Sequence, residues 1–329
     1  MDYNREYLFN VFQQLVFAEF NENISKIDIL NADASERNIF RIITDSRSLI
    51  GIFNRHIEEN KAFISFSESF RKAGLNVPVI YSVSDDSQIY LEEDLGNMTL
   101  HKYSQNASAE DNIVYFKKAI EDLFEFQTKG IKCIDFDHCY QTKEFSEEVI
   151  HKDFSNFEKY YLNIFRKGNT AGKYCDKVKE ILTAVNSGTD GNYFLYRDFQ
   201  TRNIMINENR LYYIDYQSGR RGPLHYDPAS FLYSGSIYIS ESERQMLLNH
   251  YMDLAEMKLG INRKKFEREF YYFALMRLIQ ILGSYGITYE KKKSGKVLEK
   301  IPKALLNLNS LKARIEEKTV LKFIGSITE

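Results

Sequence analysis

Three oxygen-bearing side chains stand out by type and spacing. Asp198 follows an apolar stretch, Asn203 comes five positions later, and Asp215 ends a further short apolar run, Leu211-Tyr-Tyr-Ile-Asp-Tyr-Gln217. Asn207-Glu208-Asn209 between the runs reads as a tight turn. A hairpin there would bring Asp215 back beside the loop that carries Asp198 and Asn203. Magnesium takes hard oxygen ligands and keeps waters and substrate phosphates as the rest of its shell. Asn203 and Asp215 are ligands of that type, and Asp198 could accept or orient the proton of an attacking hydroxyl. The chemistry that suits this spacing is phosphoryl transfer, in which positioning and charge neutralisation carry most of the catalysis. The bland alternative is an Asp-containing turn and a strand-ending Asp.

The surrounding elements must place these groups. Apolar positions recur with helical period over residues 2–20. Residues 24–30, 39–44, 48–53, 77–81 and 88–92 read as strands, and 58–73 as a helix with Ala62, Phe63, Phe66 and Phe70 on one face, stopped by Gly74. Beyond Asp94-Leu95-Gly96 the pattern turns helical, with periodic segments at 112–129, 154–165, 176–185 and from Ser242 onward. The compact stretch 193–216 is the exception. The expectation is an α+β, bilobal chain: a small, mostly antiparallel sheet lobe at 1–93 and a large helical lobe at 94–329.

Composition narrows the function class. The 329 residues are 43% hydrophobic and 27% charged, enough for a substantial core and unlike a disordered polymer. With 44 Lys and Arg against 46 Asp and Glu, the chain lacks the basic footprint of a dedicated nucleic-acid binder. The many Phe and Tyr read as core filling, because no basic stripe accompanies them. No apolar run approaches the roughly 18 residues that would span a bilayer, and MDYNREYLFN has no apolar segment of a secretory signal. Cys133, Cys139 and Cys175 form no CxxC pair and fit a reducing cytosol, so a cytoplasmic location is expected.

The segment YRDFQTRNIMI…YYIDYQSGRRGPLHYDPASFL resembles the corresponding block of the aminoglycoside-phosphotransferase-like kinases. Within them it is most similar to the kinases that phosphorylate N-acetylmuramate and N-acetylglucosamine at the anomeric carbon. Asp33-Ala-Ser-Glu-Arg-Asn-Ile-Phe-Arg41, Gly74-Leu-Asn-Val-Pro-Val-Ile80 and Leu91-Glu-Glu-Asp-Leu-Gly96 extend the resemblance through the sheet lobe, covering roughly residues 25–310. It implies a protein-kinase-like fold, ATP with Mg2+, and a small-molecule hydroxyl acceptor. Asp198 then matches the aspartate of the loop pattern HRDxxxxN, and Asp215 the DFG aspartate. Residues 31–38, with Ala34, Ser35 and Arg37, take the place of the phosphate-covering loop. Glu59 takes that of the ion-pairing glutamate, and residues 92–95, with Glu92 and Asp94, that of the hinge that reads the adenine edge.

Two departures accompany the resemblance. Tyr196 replaces the catalytic-loop histidine, which is tolerable if that side chain only braces the loop. No lysine stands in residues 48–54, where one would pair with phosphate, and the covering loop has no glycine. Arg37, Arg41 or Arg55 could supply the charge, and the sequence does not choose among them. On the acceptor side, Arg202, Gln217, Arg220 and Arg221 lie beside the proposed metal ligands, and paired arginines suit a carboxylate such as that of N-acetylmuramate. Glu147, Glu148 and Asp153 could instead form an acidic wall, and Asp227 reads as the cap of a helix starting near Pro228. The alternatives are a kinase for another alcohol (aminoglycoside, choline or homoserine type) and a nucleotide-binding regulator without turnover. The sequence identifies no protein partner.

Overall fold

The computed structural model describes residues 5–30, 37–293 and 295–329. Helix α1 (Arg5–Phe20) precedes strands β1 (Lys26–Leu30), β2 (Asn38–Ile43) and β3 (Ser48–Phe53). Helix α2 (Ile57–Lys72) and strands β4 (Ile80–Val83) and β5 (Ile89–Glu93) complete the lobe. The five strands form one antiparallel sheet in the order β1-β2-β3-β5-β4. Strand alternation divides its residues between two faces. Phe40, Ile42, Leu49, Phe53, Ile89 and Leu91 pack under α1 against Leu8, Phe12 and Val16. A Cβ on Gly51 would lie 2.6 Å from both Phe12 and Ile42, so the close approach of α1 to β3 requires glycine there.

The opposite face presents Ile50, Ile52 and Tyr90 to α2. The predicted face of that helix is the one buried: Ala62, Phe63, Phe66 and Phe70 all point inward. Its aromatic rings run on into the second lobe. Phe63 stacks on Tyr216 at 4.9 Å between centroids, and Phe70 meets Phe126 edge-on at 4.9 Å. Such pairs contribute beyond the area they bury, so α2 belongs to both lobes' cores. The strand expected at 77–81 begins three residues later, at Ile80. Pro78 has no N–H to give to a ladder, and pairing with β5 starts only beyond it.

The second lobe opens with α3 (Leu100–Ser104), α4 (Ala109–Cys133) and α5 (Glu147–Asn156). The last continues through a π-helical turn, Phe157–Leu162, into the short α6 (Asn163–Phe165), and α7 (Gly172–Ser187) follows. Next come β6 (Tyr193–Leu195), β7 (Ile204–Asn207), β8 (Arg210–Tyr213) and β9 (Arg220–Gly222). The β7–β8 hairpin turns on Glu208 and Asn209, both at positive φ, as a tight two-residue hairpin connection demands. Strand β9, which the residue pattern did not reveal, pairs with β6 and so draws the chain after Asp215 back beside the loop that carries Asp198.

The helices α8 (Tyr226–Leu232), α9 (Glu241–Leu259), α10 (Arg263–Lys292), α11 (Gly295–Leu298), α12 (Ile301–Ser310) and α13 (Lys318–Thr328) form the rest of the body. Helix α10 is the spine, packing on α5, α8 and the π-helical turn. Gly286 sits where a Cβ would fall 2.3 Å from the Tyr160 carbonyl oxygen, which fixes how closely the spine meets that turn.

Where the sheet lobe meets the body, Asp94 clasps Arg41 through two hydrogen bonds of 2.7 and 2.9 Å. It also accepts from the Ser48 hydroxyl and from the Gly96 N–H. Bidentate carboxylate–guanidinium pairing is the stronger form of ion pair. Asp94→Ala should lower stability by about 1–3 kcal/mol. A thermal melt checks this: the midpoint should drop by several degrees, whereas Asp85→Ala in the exposed β4–β5 turn should change it little.

Candidate active site

The backbone of the loop that carries Asp198 is held from below. Asp227 accepts hydrogen bonds from the N–H of Tyr196 at 2.7 Å and of Arg197 at 2.8 Å. It lies within α8, whose N-cap is His225, so it fastens the loop and does not cap the helix as the sequence suggested. Burial pushes its carboxyl up to about 7, against those two backbone bonds. Arg197 is left at φ +78, a conformation that costs a non-glycine residue energy and persists only where its surroundings enforce it. The Tyr196 hydroxyl donates to the Ile214 carbonyl at 2.6 Å. The residue in place of histidine therefore braces the loop against the segment that leads to Asp215.

These constraints bring Asp198, Asn203 and Asp215 together. The Asn203 side-chain amide donates to the Asp198 carbonyl at 2.9 Å and to Asp215 Oδ2 at 3.2 Å. Asp215, like Arg197, takes a positive φ, +70. Its Oδ1 accepts from Gln217 Nε2 at 3.0 Å and from the Arg37 guanidinium. Burial pushes the Asp215 carboxyl up, but Arg37 and Gln217 outweigh it and hold the group below the usual carboxylate range. Asp198 keeps a third of its side chain (34%) in contact with solvent.

The second half of the site comes from the sheet lobe. Glu59 Oε1 stands 3.8 Å from Arg37 Nε and accepts from Gln217 Nε2 at 3.1 Å, while its Oε2 accepts from Asn54 at 3.3 Å. Arg37, Glu59, Gln217 and Asp215 thus make one polar chain across the cleft, beside the Ser67–Tyr216 hydroxyl contact at 2.5 Å. Of the three candidate cations, Arg37 alone stands on Asp215. Arg41 is committed to Asp94 and Asn97, and Arg55 is exposed after β3. Ala34 and Ser35 lie outside the described residues.

The other residues singled out from the sequence are distributed differently. Glu92 lies in β5 between Ile50 and Ile80, its Oε2 buried without a hydrogen-bond partner. Burial pushes its carboxyl up to about 8, Arg37 opposing. Asp94 spends its side chain on Arg41 and Ser48, and the neighbouring Leu95 backbone makes no hydrogen bond among the described residues. Arg202 donates to Gln200 at 2.9 Å and adds positive charge near Asp215. Gln217 donates to Glu59 and Asp215 and, among the described residues, makes no hydrogen bond with Asp198. Arg220 is buried, its guanidinium bound to Thr142, Gln141 and the Ser218 carbonyl. Arg221 lies over the Phe136 ring at 4.7 Å, in a cleft shared with Lys143 and Glu148. Glu147 and Glu148 are exposed at the start of α5, and Asp153 stands 4.0 Å from Arg197.

The donor set fits a hard divalent cation. Asp215 is held ionised, the Asn203 carbonyl oxygen is adjacent, and Gln217 Oε1 is buried without a hydrogen-bond partner. No cluster of three His, Cys, Asp or Glu side chains that could hold a metal occurs among the described residues. Such a sparse protein set is what magnesium tolerates when phosphate oxygens complete its shell. Arg277, on α10, also reaches the site by donating to Asp198 Oδ1 at 3.2 Å. Nothing in its local pattern marks it, since it stands in the most apolar part of the long helix α10.

Comparison with known proteins follows the same lines. No family model matches the chain. It is 22% identical over 298 residues to the N-acetylmuramate/N-acetylglucosamine kinase of Pseudomonas aeruginosa, covering 87% of this chain and 84% of that one. It is 22% identical over 254 residues to the enzyme of that name from Neisseria meningitidis serogroup B, covering 74% and 72%. Among solved structures it resembles the choline kinase LicA from Streptococcus pneumoniae, with TM-score 0.61, 14% identity and 92% and 99% of the two chains covered. It also resembles the ADP-bound aminoglycoside phosphotransferase APH(2'')-Ib, with TM-score 0.60, 12% identity and 98% and 99% covered. Among the described residues no helix is long and apolar enough to cross a membrane.

Glu92 gives the site a pH signature. Its carboxyl titrates near 4.5 when the chain is unfolded and near 8 in the fold. Between those values the folded state holds the extra proton, so this group makes stability fall as pH rises. Glu92→Gln removes the titration. Its melting temperature should exceed the wild type's by a few degrees at pH 8 and match it near pH 4.5; a constant offset at both would contradict the assignment. The bilobal arrangement is a protein-kinase-like fold, and the likenesses along most of the chain support a small-molecule kinase.

Proposed function

We propose that this kinase transfers the γ-phosphoryl group of ATP, with Mg2+, to a hydroxyl of an amino sugar such as N-acetylmuramate or N-acetylglucosamine. The observation that carries the chemistry is the convergence of Asp198, Asn203 and Asp215 opposite Arg37 and Glu59. The acceptor class rests on likeness to the two bacterial sugar kinases along most of the chain. We draw the lobe boundary between Glu93 and Asp94, with the nucleotide in the cleft it creates and the adenine edge against the free Leu95 backbone.

Each residue then has a task. Asn203 Oδ1 and Asp215 would hold the cation, which when bound neutralises charge on the β- and γ-phosphates. Asp198 orients the acceptor hydroxyl and takes its proton as the bond to phosphorus forms. Arg37 supplies the positive charge that β3 lacks, paired with Glu59 and free to shift from Asp215 onto phosphate oxygens as a cation arrives. Arg202, placed toward Asp215, extends the positive field across the cleft.

The acceptor assignment is tested with a panel of N-acetylmuramate, N-acetylglucosamine, glucosamine, kanamycin and choline, following phosphate transfer from ATP with magnesium. Transfer to an N-acetylated sugar, lost by at least about 100-fold in Asp198→Asn, is the expected result. Transfer to choline or kanamycin alone would keep the mechanism and discard the sugar. A separate measurement addresses Arg37. Arg37→Ala should raise KM for ATP by about 10-fold or more, the worth of one charge-assisted bond, and leave KM for the acceptor nearly unchanged. An unaltered ATP KM would assign the charge elsewhere.

A further inference from the structure

Arg277 is an unusual neighbour for a catalytic aspartate. It stands midway along α10, in a run where Phe273, Ala274, Leu275, Met276, Leu278 and Ile279 are all buried. Its side chain is 3% exposed, against 34% for Asp198. Nη2 donates to Asp198 Oδ1 at 3.2 Å, Nη1 donates to Gln280 Oε1 at 2.7 Å, and Nε is buried with no hydrogen-bond partner. The buried Tyr226 hydroxyl stands beside the guanidinium.

Such an arrangement is a poor device for stability. Desolvating a guanidinium is expensive, and one carboxylate contact with a donor left over does not offset it well. The other acids near it are already engaged. Asp227 holds the loop backbone, and Asp153 faces Arg197 at 4.0 Å. What the buried guanidinium does achieve is directional. It grips Oδ1 of Asp198 from the interior, while Oδ2 makes no hydrogen bond among the described residues and lies on the part of the side chain that solvent reaches. A carboxylate has two oxygens and a freely turning side chain; fixing one oxygen from behind points the other at the cleft.

We propose that Arg277 is the positioning residue of Asp198, locking its carboxylate so that one oxygen faces the acceptor hydroxyl. The inference rests on the kinase reading above, in which Asp198 receives that hydroxyl's proton. The phosphate-side contacts of Arg37, Asn203 and Asp215 do not involve Arg277, so its effect falls on turnover and not on ATP binding.

The test measures kcat, KM for ATP and melting temperature, with and without ATP, for the wild type, Arg277→Met, Arg277→Lys, Asp198→Asn and the Asp198→Asn/Arg277→Met double variant. Arg277→Met should lower kcat by about 10- to 100-fold, a fraction of a general base's contribution, with KM for ATP and the ATP-induced melting shift unchanged. Arg277→Lys should recover part of the loss, and in the Asp198→Asn background Arg277→Met should cost nothing further, because it acts through the residue already removed. Wild-type kcat in the methionine variant, or an equal loss in both backgrounds, would overturn the inference. If the methionine variant does not fold, Arg277→Gln stands in under the same criteria. Absence of transfer by the wild type to any acceptor would sink the kinase reading and this inference together. Transfer by the wild type that Arg277→Met leaves unaltered would sink the inference alone.

Discussion

The site depends on a buried carboxylate that performs no chemistry. Asp227 takes the N–H groups of two successive residues, Tyr196 and Arg197, and in doing so holds Arg197 in a left-handed conformation. Adjacent backbone donors in a strained turn would otherwise be buried and unsatisfied, at a cost comparable to a lost hydrogen bond each. Once they are fixed, the direction in which Asp198 leaves the chain is fixed too. Asn203 then ties back to the Asp198 carbonyl, and the Tyr196 hydroxyl ties to Ile214. A single anchor in α8 therefore sets the spacing among all three oxygen-bearing groups.

The two lobes meet through contacts of different kinds, and each has a separate consequence. The aromatic contacts of α2 with Phe126, Phe194 and Tyr216 are dry and nondirectional, and make the helix part of the body. The polar chain from Glu59 through Gln217 and Arg37 to Asp215 is directional and exchangeable. Packing of this sort resists shear between lobes, while ion pairs in a cleft can be traded for phosphate oxygens and a cation. The junction is therefore rigid where the helix sits and replaceable where the nucleotide is proposed to bind.

How much of this the sequence disclosed follows from the range of the interactions. The strands, the buried face of α2 and the β7–β8 turn are local patterns, and they stand where alternation, period and turn residues put them. Local chemistry also explains the main offset, since Pro78 delays β4. The convergence of Asp198, Asn203 and Asp215 could be read because one short hairpin closes the twelve-position separation of Asn203 and Asp215, with a motif to guide the eye. Asp227 and Arg277 could not be read that way. Their partners lie 31 and 79 positions away, and in sequence the first looks like a helix cap and the second like a stray charge in an apolar helix. Strand β9 is three residues long and exists only because β6 is there to pair with it. The acceptor-side arginines illustrate the converse: proximity in sequence to Asp215 did not bring Arg221 to the cleft, because alternation along β9 turns it outward, over Phe136.

The missing lysine finds a physical account in the same terms. The β3 residues that face α2 are Ile50 and Ile52, packed in the core with Phe63 and Phe66, so a charge there would be buried among aromatic rings. Residue 37, just before β2, lies on the same side of the sheet as Ile39 and Ile52, which are cross-strand partners. An arginine at that position approaches the cleft from the sheet's rim. Its forked guanidinium presents Nε to Glu59 and Nη2 to Asp215, two acids on different lobes, with separate nitrogens. A lysine ammonium would have to reach both acids from one nitrogen. Moving the charge from the strand to its rim thus frees β3 to be wholly apolar on its inner face. The cleft keeps a cation that both lobes recognise.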